Sequence, residues 1–235
     1  MPNWCENRLT IQGNKSALKT CINHIVVNEA DQWFENKEAF FDFNRIVPMP
    51  ESIKNAVSSN IEYIAKAIYA YRVEGNNDLI LNYLDYQWVK ELNVKDADHL
   101  VNIFTEKYEK ELYIYFYNKI IYDDYTWYGW SLKNWGCKWN SSNTTLFIFE
   151  DQCKAEIAFD TPWSPPIQLI KALSLLYPNL EFELAYEETG MNFGGVITYL
   201  NGIISSNIEY SPSERYYDNG DNGSDHDIDK ADISS

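Results

Sequence analysis

Asp160, Glu187 and Glu188 are the residues in this sequence that could divide acid and base work, because two carboxylates in different environments can take different protonation states. Adjacent residues on a strand point to opposite sides, so Glu187 and Glu188 do not make a natural pair. His24, His99 and His226 each stand without a neighbouring nucleophile or ligand spacing. Gly194-Gly195 lacks the spaced glycines and the Lys-Ser/Thr that phosphate-cradling loops use. The four cysteines, Cys5, Cys21, Cys137 and Cys153, form no C-x-x-C pair. They suggest neither zinc nor a disulfide framework, and read as buried or half-buried thiols in a reducing compartment. The stretch from Asp218 is superficially like a calcium loop, but Gly220 stands where an oxygen ligand belongs and Asp229 where the terminal Glu does. These readings point to a protein without catalytic residues, metal or cofactor.

Binding chemistry is better represented. Trp135, Lys138, Trp139 and Trp163, with Asn7, could line a ligand pocket, since an indole offers a large apolar face and one N–H donor. Trp4, Trp135, Trp139 and Trp163 could instead clamp the N-terminal strand, a short helix and the turn at Trp163 together, with Asn7, Asn134, Lys138 and Glu187 as a paired polar network. The formal charge of -16 disfavours direct nucleic-acid binding and favours a basic partner. Asp123, Asp124, Glu187, Glu188, Asp218 and Asp221 are candidate contacts for such a partner. Tyr125, Tyr128, Tyr216 and Tyr217 are candidate anchors, tyrosine being enriched at interfaces. Residues 211–235 carry seven acidic and two basic side chains and little apolar content, which reads as an acidic, flexible tail.

The elements that would position these residues follow from periodicity. Asn7–Gln12 alternates Leu9 and Ile11 against polar neighbours, a short strand closed at Gly13-Asn14. Leu18, Cys21, Ile22, Ile25 and Val26 recur at helical spacing behind it. Phe40–Ile46 reads as a second strand ended by Pro48 and Pro50. Residues 52–120 hold three helical patterns, the last running from Leu100 through Phe104, Tyr108 and Leu112 to Tyr115 with Asp96 or Asp98 as cap. Gly136 is placed to end a short helix. Thr144–Glu150 and Lys154–Asp160 suggest a hairpin. Ser164 before Pro165-Pro166 suggests a capped helix running to Tyr177 with Ile167, Ile170, Leu173 and Leu176 inward. Leu180–Tyr186 alternates as a half-buried strand, and Asn201-Gly202 is a preferred dipeptide for a tight hairpin between two more.

Four motifs, MPNWCENRLTI, WGCKWN, F-D-T-P-W-S-P-P and LAYEETGMNFGG, stand in an order and spacing that resembles the YubB ferredoxin-like family of phages and plasmids. The resemblance covers the first 50 residues and 127–200. It implies a ferredoxin-like domain, a variable helical middle and residence in a mobile element, and the family carries no established biochemical activity.

The expected fold is therefore α+β: a ferredoxin-like antiparallel sheet with helices on one face, plus a helical insertion. Residues 1–50 supply the first part of the core, 51–121 the insertion, 122–210 the rest of the core and 211–235 the tail. No stretch approaches the ~20 apolar residues of a membrane span, and the N-terminus has no basic-then-apolar leader, so a bacterial cytoplasm is the expected setting. The expected function is non-enzymatic: binding a host protein with a basic surface, such as a component of a nucleic-acid-targeting defence system. A small-ligand or peptide-binding module at the tryptophan junction, and an enzyme with an unrecognised site, stand as alternatives.

Overall fold

The structure, a computed structural model, describes residues 3–30, 37–56 and 59–213. Tyr216, Tyr217, Asp218 and Asp221 lie outside the described residues. Strand β1 (Trp4–Gly13) leads through the Asn14 cap, whose side chain accepts from the backbone N–H groups of Ser16 and Ala17, into helix α1 (Lys15–Ile25). The chain then forms a small ribbon of β2 (Val26–Ala30) and β3 (Lys37–Phe41). The strand expected over Phe40–Ile46 stops at Phe41, because the Asp42 side chain accepts from the Asn44 N–H and starts a 3-10 turn over Phe43–Arg45.

A helical block follows: α2 (Glu51–Lys54), α3 (Asn60–Tyr69) with a π turn over Ala70–Glu74, α4 (Asp78–Leu84), α5 (Gln87–Lys90), α6 (Ala97–Lys107) and α7 (Glu109–Tyr122). Asp96 caps α6 by accepting from the His99 N–H, as its position suggested. The long third helix of the sequence reading is two helices, since Tyr108 leaves helical geometry at φ -122, ψ 29. Ile64, Ile68, Ile80, Leu100, Phe104 and Leu112 give the block an apolar core separate from that of the sheet. Asn118 closes its base, donating from Nδ2 to the carbonyls of Ser52 and Tyr125, each at 3.1 Å.

Helix α8 (Trp127–Asn134) returns the chain to the sheet, followed by β4 (Ser142–Phe149), β5 (Lys154–Pro162), α9 (Ile167–Leu176), β6 (Leu180–Glu188), β7 (Phe193–Leu200) and β8 (Ile203–Tyr210). Among the described residues the main sheet is six-stranded and antiparallel, in the order β4-β5-β1-β6-β7-β8. Its first four strands with α1 and α9 trace βαββαβ with β1 central, the ferredoxin-like arrangement, and the β7-β8 hairpin extends the β6 edge. Asn201 (φ 50) and Gly202 (φ 73) make that hairpin's turn.

One face of the sheet is dry. Leu9 and Ile11, Ile157 and Phe159, Phe182 and Leu184 pack with Leu18, Cys21 and Ile22 of α1 and Leu169, Ile170 and Leu173 of α9 in one core. Leu176, expected to face inward, is 53 % exposed; Leu169 takes the inward position. An edge-to-face chain runs from Phe159 to Phe41 (5.0 Å), Phe43 (5.2 Å), Trp135 (5.7 Å) and Trp130 (5.5 Å). Each such pair contributes about 1 kcal/mol beyond its buried area, so this chain ties the ribbon and α8 to the sheet. Among the described residues, no helix is long and apolar enough to cross a membrane.

Candidate functional site

The tryptophan junction is assembled where α8, β5 and α9 meet. Gly136 ends the short helix at φ +92, and a Cβ there would collide with the Gln168 side chain and lie 3.1 Å from backbone atoms of Pro165 and Ile167. Ser164 does not cap α9. Its hydroxyl donates to the Gly136 carbonyl at 2.8 Å, and α9 starts after both prolines. Thr161 donates to the Ser164 carbonyl at 2.8 Å, and the Trp163 N–H to the Asn3 carbonyl at 2.9 Å. This stapled turn holds Trp163 at φ +68, a left-handed conformation that bulky residues rarely adopt. The ring projects to the surface, 38 % exposed.

The residues of the expected pocket divide. Trp135, Lys138 and Trp139 line one concavity of about 380 Å³ with Trp127, Lys54 and Met49. Trp163 approaches the Lys138 ammonium at 4.5 Å from ring centroid to Nζ. Asn7 is elsewhere. It is buried in the core face of β1, where its amide donates to the Cys5 carbonyl (2.8 Å), Thr161 Oγ1 (2.8 Å) and the Phe159 carbonyl (3.4 Å). Trp135 is buried and its Nε1 donates to the Val47 carbonyl at 2.9 Å. Asn134 donates to the Trp130 carbonyl. The expected network of Asn7, Asn134, Lys138 and Glu187 is therefore not assembled: Asn7 and Asn134 are paired locally, and Glu187 lies opposite Glu6 on the other face of the sheet.

The expected partner contacts divide as well. Asp123 accepts from Lys119 at 2.7 Å and from Lys133 at 2.9 Å, hydrogen bonds that hold its carboxyl down at about 2. Asp124 accepts from the N–H groups of Tyr125 and Thr126 at the start of α8. Tyr125 is buried in the helical block and burial pushes its phenol up, so it is no surface anchor. Glu188 is also buried, accepting from the N–H groups of Gly190 and Met191 in the turn after β6. It has no surface to offer. Tyr128 is exposed beside Lys138.

Glu187 faces the opposite side of the sheet, and there it has company. In the antiparallel register Glu6 lies directly opposite Asp160 on β5 and Glu187 on β6, so three carboxylates stand in one row across three strands. The next inward-stepping rows on this open face bring Arg8 between Ala158 and Ala185, Thr10 between Glu156 and Glu183, and Gln12 between Lys154 and Glu181. Among the described residues these rows hold six carboxylates and two cations, and the buried Glu156 is paired with Lys154 at 2.8 Å. Asn143 donates to Asp160 at 2.7 Å and Tyr210 to Glu187 at 3.3 Å, fixing the outer members of the row. Exposed Phe147 and Phe149 on β4, and Leu200, Ile203 and Ile208 on β7 and β8, flank the acidic centre. Glu6, Asp160 and Glu183 belong to this patch through register between strands far apart in the chain, a relation that no local pattern displays. Among the described residues, no group of three or more His, Cys, Asp or Glu side chains is arranged to hold a metal ion.

Residues 134–227 match the family model described as the ferredoxin-like domain in Api92-like protein. This part of the chain is a ferredoxin-like domain. It contributes β4 to β8 and α9, while the central β1 comes from the N-terminal segment outside the match. A crystal structure of a protein api92 from Yersinia pseudotuberculosis is similar at 13% identity with a TM-score of 0.46, covering 90% of this chain and 99% of that chain. No curated protein matches the chain.

Proposed function

We propose that this is a non-enzymatic binding protein that docks a basic host protein on the open, acidic face of its sheet. The observation that carries the reading is the row Asp160–Glu6–Glu187. Like charges directly opposite one another destabilise a sheet, so this arrangement works against the fold while presenting negative charge from a rigid surface. Neighbouring strands lie about 4.8 Å apart, and a partner's lysines and arginines meet the row without any reordering of the sheet. The apolar margins at Phe147 and Ile208 add the hydrophobic area that charge alone does not supply to an interface.

In ferredoxin-like folds that bind RNA, this face carries aromatics that stack bases. Here it carries carboxylates, which repel a phosphate backbone and attract the proteins that hold one. The resemblance of its motifs to the YubB ferredoxin-like family of phages and plasmids supports this reading, in which the partner is a nucleic-acid-binding defence component of the bacterial cytoplasm. Occupation of that component's basic channel would exclude its nucleic acid. Glu187 is the contact common to the sequence reading and this face; Glu6 and Asp160 join it.

The test is capture from bacterial lysate by the immobilised full chain and by its Glu6→Gln/Asp160→Asn/Glu187→Gln variant, across a salt series, with duplex DNA as competitor. Retention of a nucleic-acid-binding protein by the wild type, its release by DNA and its loss with the variant support the proposal. An identical captured set for both proteins, or no basic protein at low salt, contradicts it.

A further inference from the structure

On a chain of net charge -16, the concavity beside α8 is lined by two lysines and no carboxylate. Lys138 is its distinctive member. Its Nζ lies 4.5 Å from the ring centroids of both Trp139 and Trp163, 5.6 Å from Tyr128 and 6.0 Å from Trp127. The quadrupoles of these rings hold an ammonium in place, but a ring face accepts no conventional hydrogen bond. Among the described residues, Lys138 makes no ion pair. Among the described residues, these ring faces are what its three donors meet.

The amides around the concavity and the Trp135 indole are engaged. Asn140 accepts from the Phe43 N–H and donates to Asp42, Asn44 accepts from the Met49 N–H, and Trp135 donates to the Val47 carbonyl. Lys54 has an exposed partner, Glu51, at 3.5 Å. What remains for a ligand is a positioned ammonium, a second cation at the rim, and exposed indole surface on Trp139 and Trp163. Apolar walls strengthen an ion pair formed between them, and flat rings accept flat rings. Trp163 stands beside this concavity at a left-handed φ with its ring 4.5 Å from the Lys138 ammonium, and a residue held in such a conformation is a pointer to function.

We propose that Lys138 with Trp127, Trp139 and Trp163 forms a binding site for a small ligand that carries an anionic group beside a flat ring, a nucleoside monophosphate being the representative compound. The site lies apart from the acidic sheet face, and neither proposal depends on the other.

Isothermal titration calorimetry on the full chain at low salt tests it with three probes: adenosine 5′-monophosphate, adenosine and inorganic phosphate. The monophosphate is expected to bind saturably, and each of the other two about tenfold or more weakly, because each lacks one half of the recognition. Lys138→Met keeps the apolar stem and loses the charge; it is expected to weaken the monophosphate about tenfold or more with an unchanged circular dichroism spectrum, while Lys138→Arg stays within about threefold of wild type. If the Met variant does not fold, the wild type alone decides through salt: affinity for the monophosphate falls as salt rises if the ammonium is the anchor. No saturable binding of the monophosphate, equal binding of adenosine or phosphate, or unchanged affinity in a folded Lys138→Met variant would overturn the proposal.

Discussion

Trp163 concentrates the tension between local geometry and packing in this protein. A non-glycine residue at φ +68 costs about 1–2 kcal/mol relative to an ordinary conformation, and the Trp163 N–H to Asn3 bond with the Thr161 and Ser164 hydroxyls keeps it there. Trp163→Gly and Trp163→Ala remove the same ring, but only glycine relieves the backbone. The glycine variant is therefore expected to be more stable than the alanine variant by about 1 kcal/mol in urea denaturation; equal midpoints would mean the turn is not strained. Thiol reactivity separates the cysteines in the same way. Burial pushes Cys5 and Cys21 up to about 12 and raises Cys137 further, whereas Cys153 is half-buried at the β4–β5 turn. Labelling of the native protein near neutral pH is expected at Cys153 alone, the other three reacting only on unfolding. Asp123 is the clearest titration. With its carboxyl held at about 2 by Lys119 and Lys133, its pairing is intact above the ordinary value of 3.8 and fades as pH falls toward 2. Carboxyl-carbon NMR is expected to show that low midpoint, moved upward in Lys133→Met.

At the scale of elements, the helical block is closed by Asn118, whose buried amide bridges residues 66 and 7 positions away. Asn118→Ala leaves two carbonyls without their donor and is expected to cost about 2 kcal/mol, read as a lower thermal midpoint. How far such elements could be read from the sequence depended on whether the deciding contact was local. Leu180, Phe182, Leu184 and Tyr186 alternate, and β6 is there; Asn201-Gly202 names its own turn; Asp96 caps α6 by accepting from the N–H three residues on. The strand over Phe40–Ile46 failed because the Asp42 side chain closes a turn that apolar content conceals. β2 was missed because Val26-Val27 follow α1 without a breaking residue. Ser164 has the right type and place for a cap, yet its hydroxyl is taken by the Gly136 carbonyl, 28 residues earlier. The site residues divide by the same rule. Lys138, Trp139 and Trp135 lie within one short segment and line one concavity, while Asn7, which only the shared motifs connect to them, belongs to a different network. The carboxylate row needed the register of β5, β1 and β6, which only the folded sheet provides.

For the molecule as a whole, charge is partitioned instead of evenly spread. The open sheet face is acidic, and the concavity at the tryptophan junction is lined by lysines. Like charges opposite one another repel, and neutralising the row relieves repulsion worth roughly 0.5 kcal/mol per opposed pair, while the amide side chains of the variant still offer Asn143 and Tyr210 an acceptor oxygen. The account therefore makes stability and binding move in opposite directions, which simple loss of structure cannot do. The deciding measurement takes the wild type and the Glu6→Gln/Asp160→Asn/Glu187→Gln variant through thermal denaturation and low-salt lysate capture side by side. The account predicts a variant about 1 kcal/mol more stable that no longer retains the basic, DNA-competed partner. A variant that is less stable, or that captures the same partner as strongly as the wild type, would contradict it.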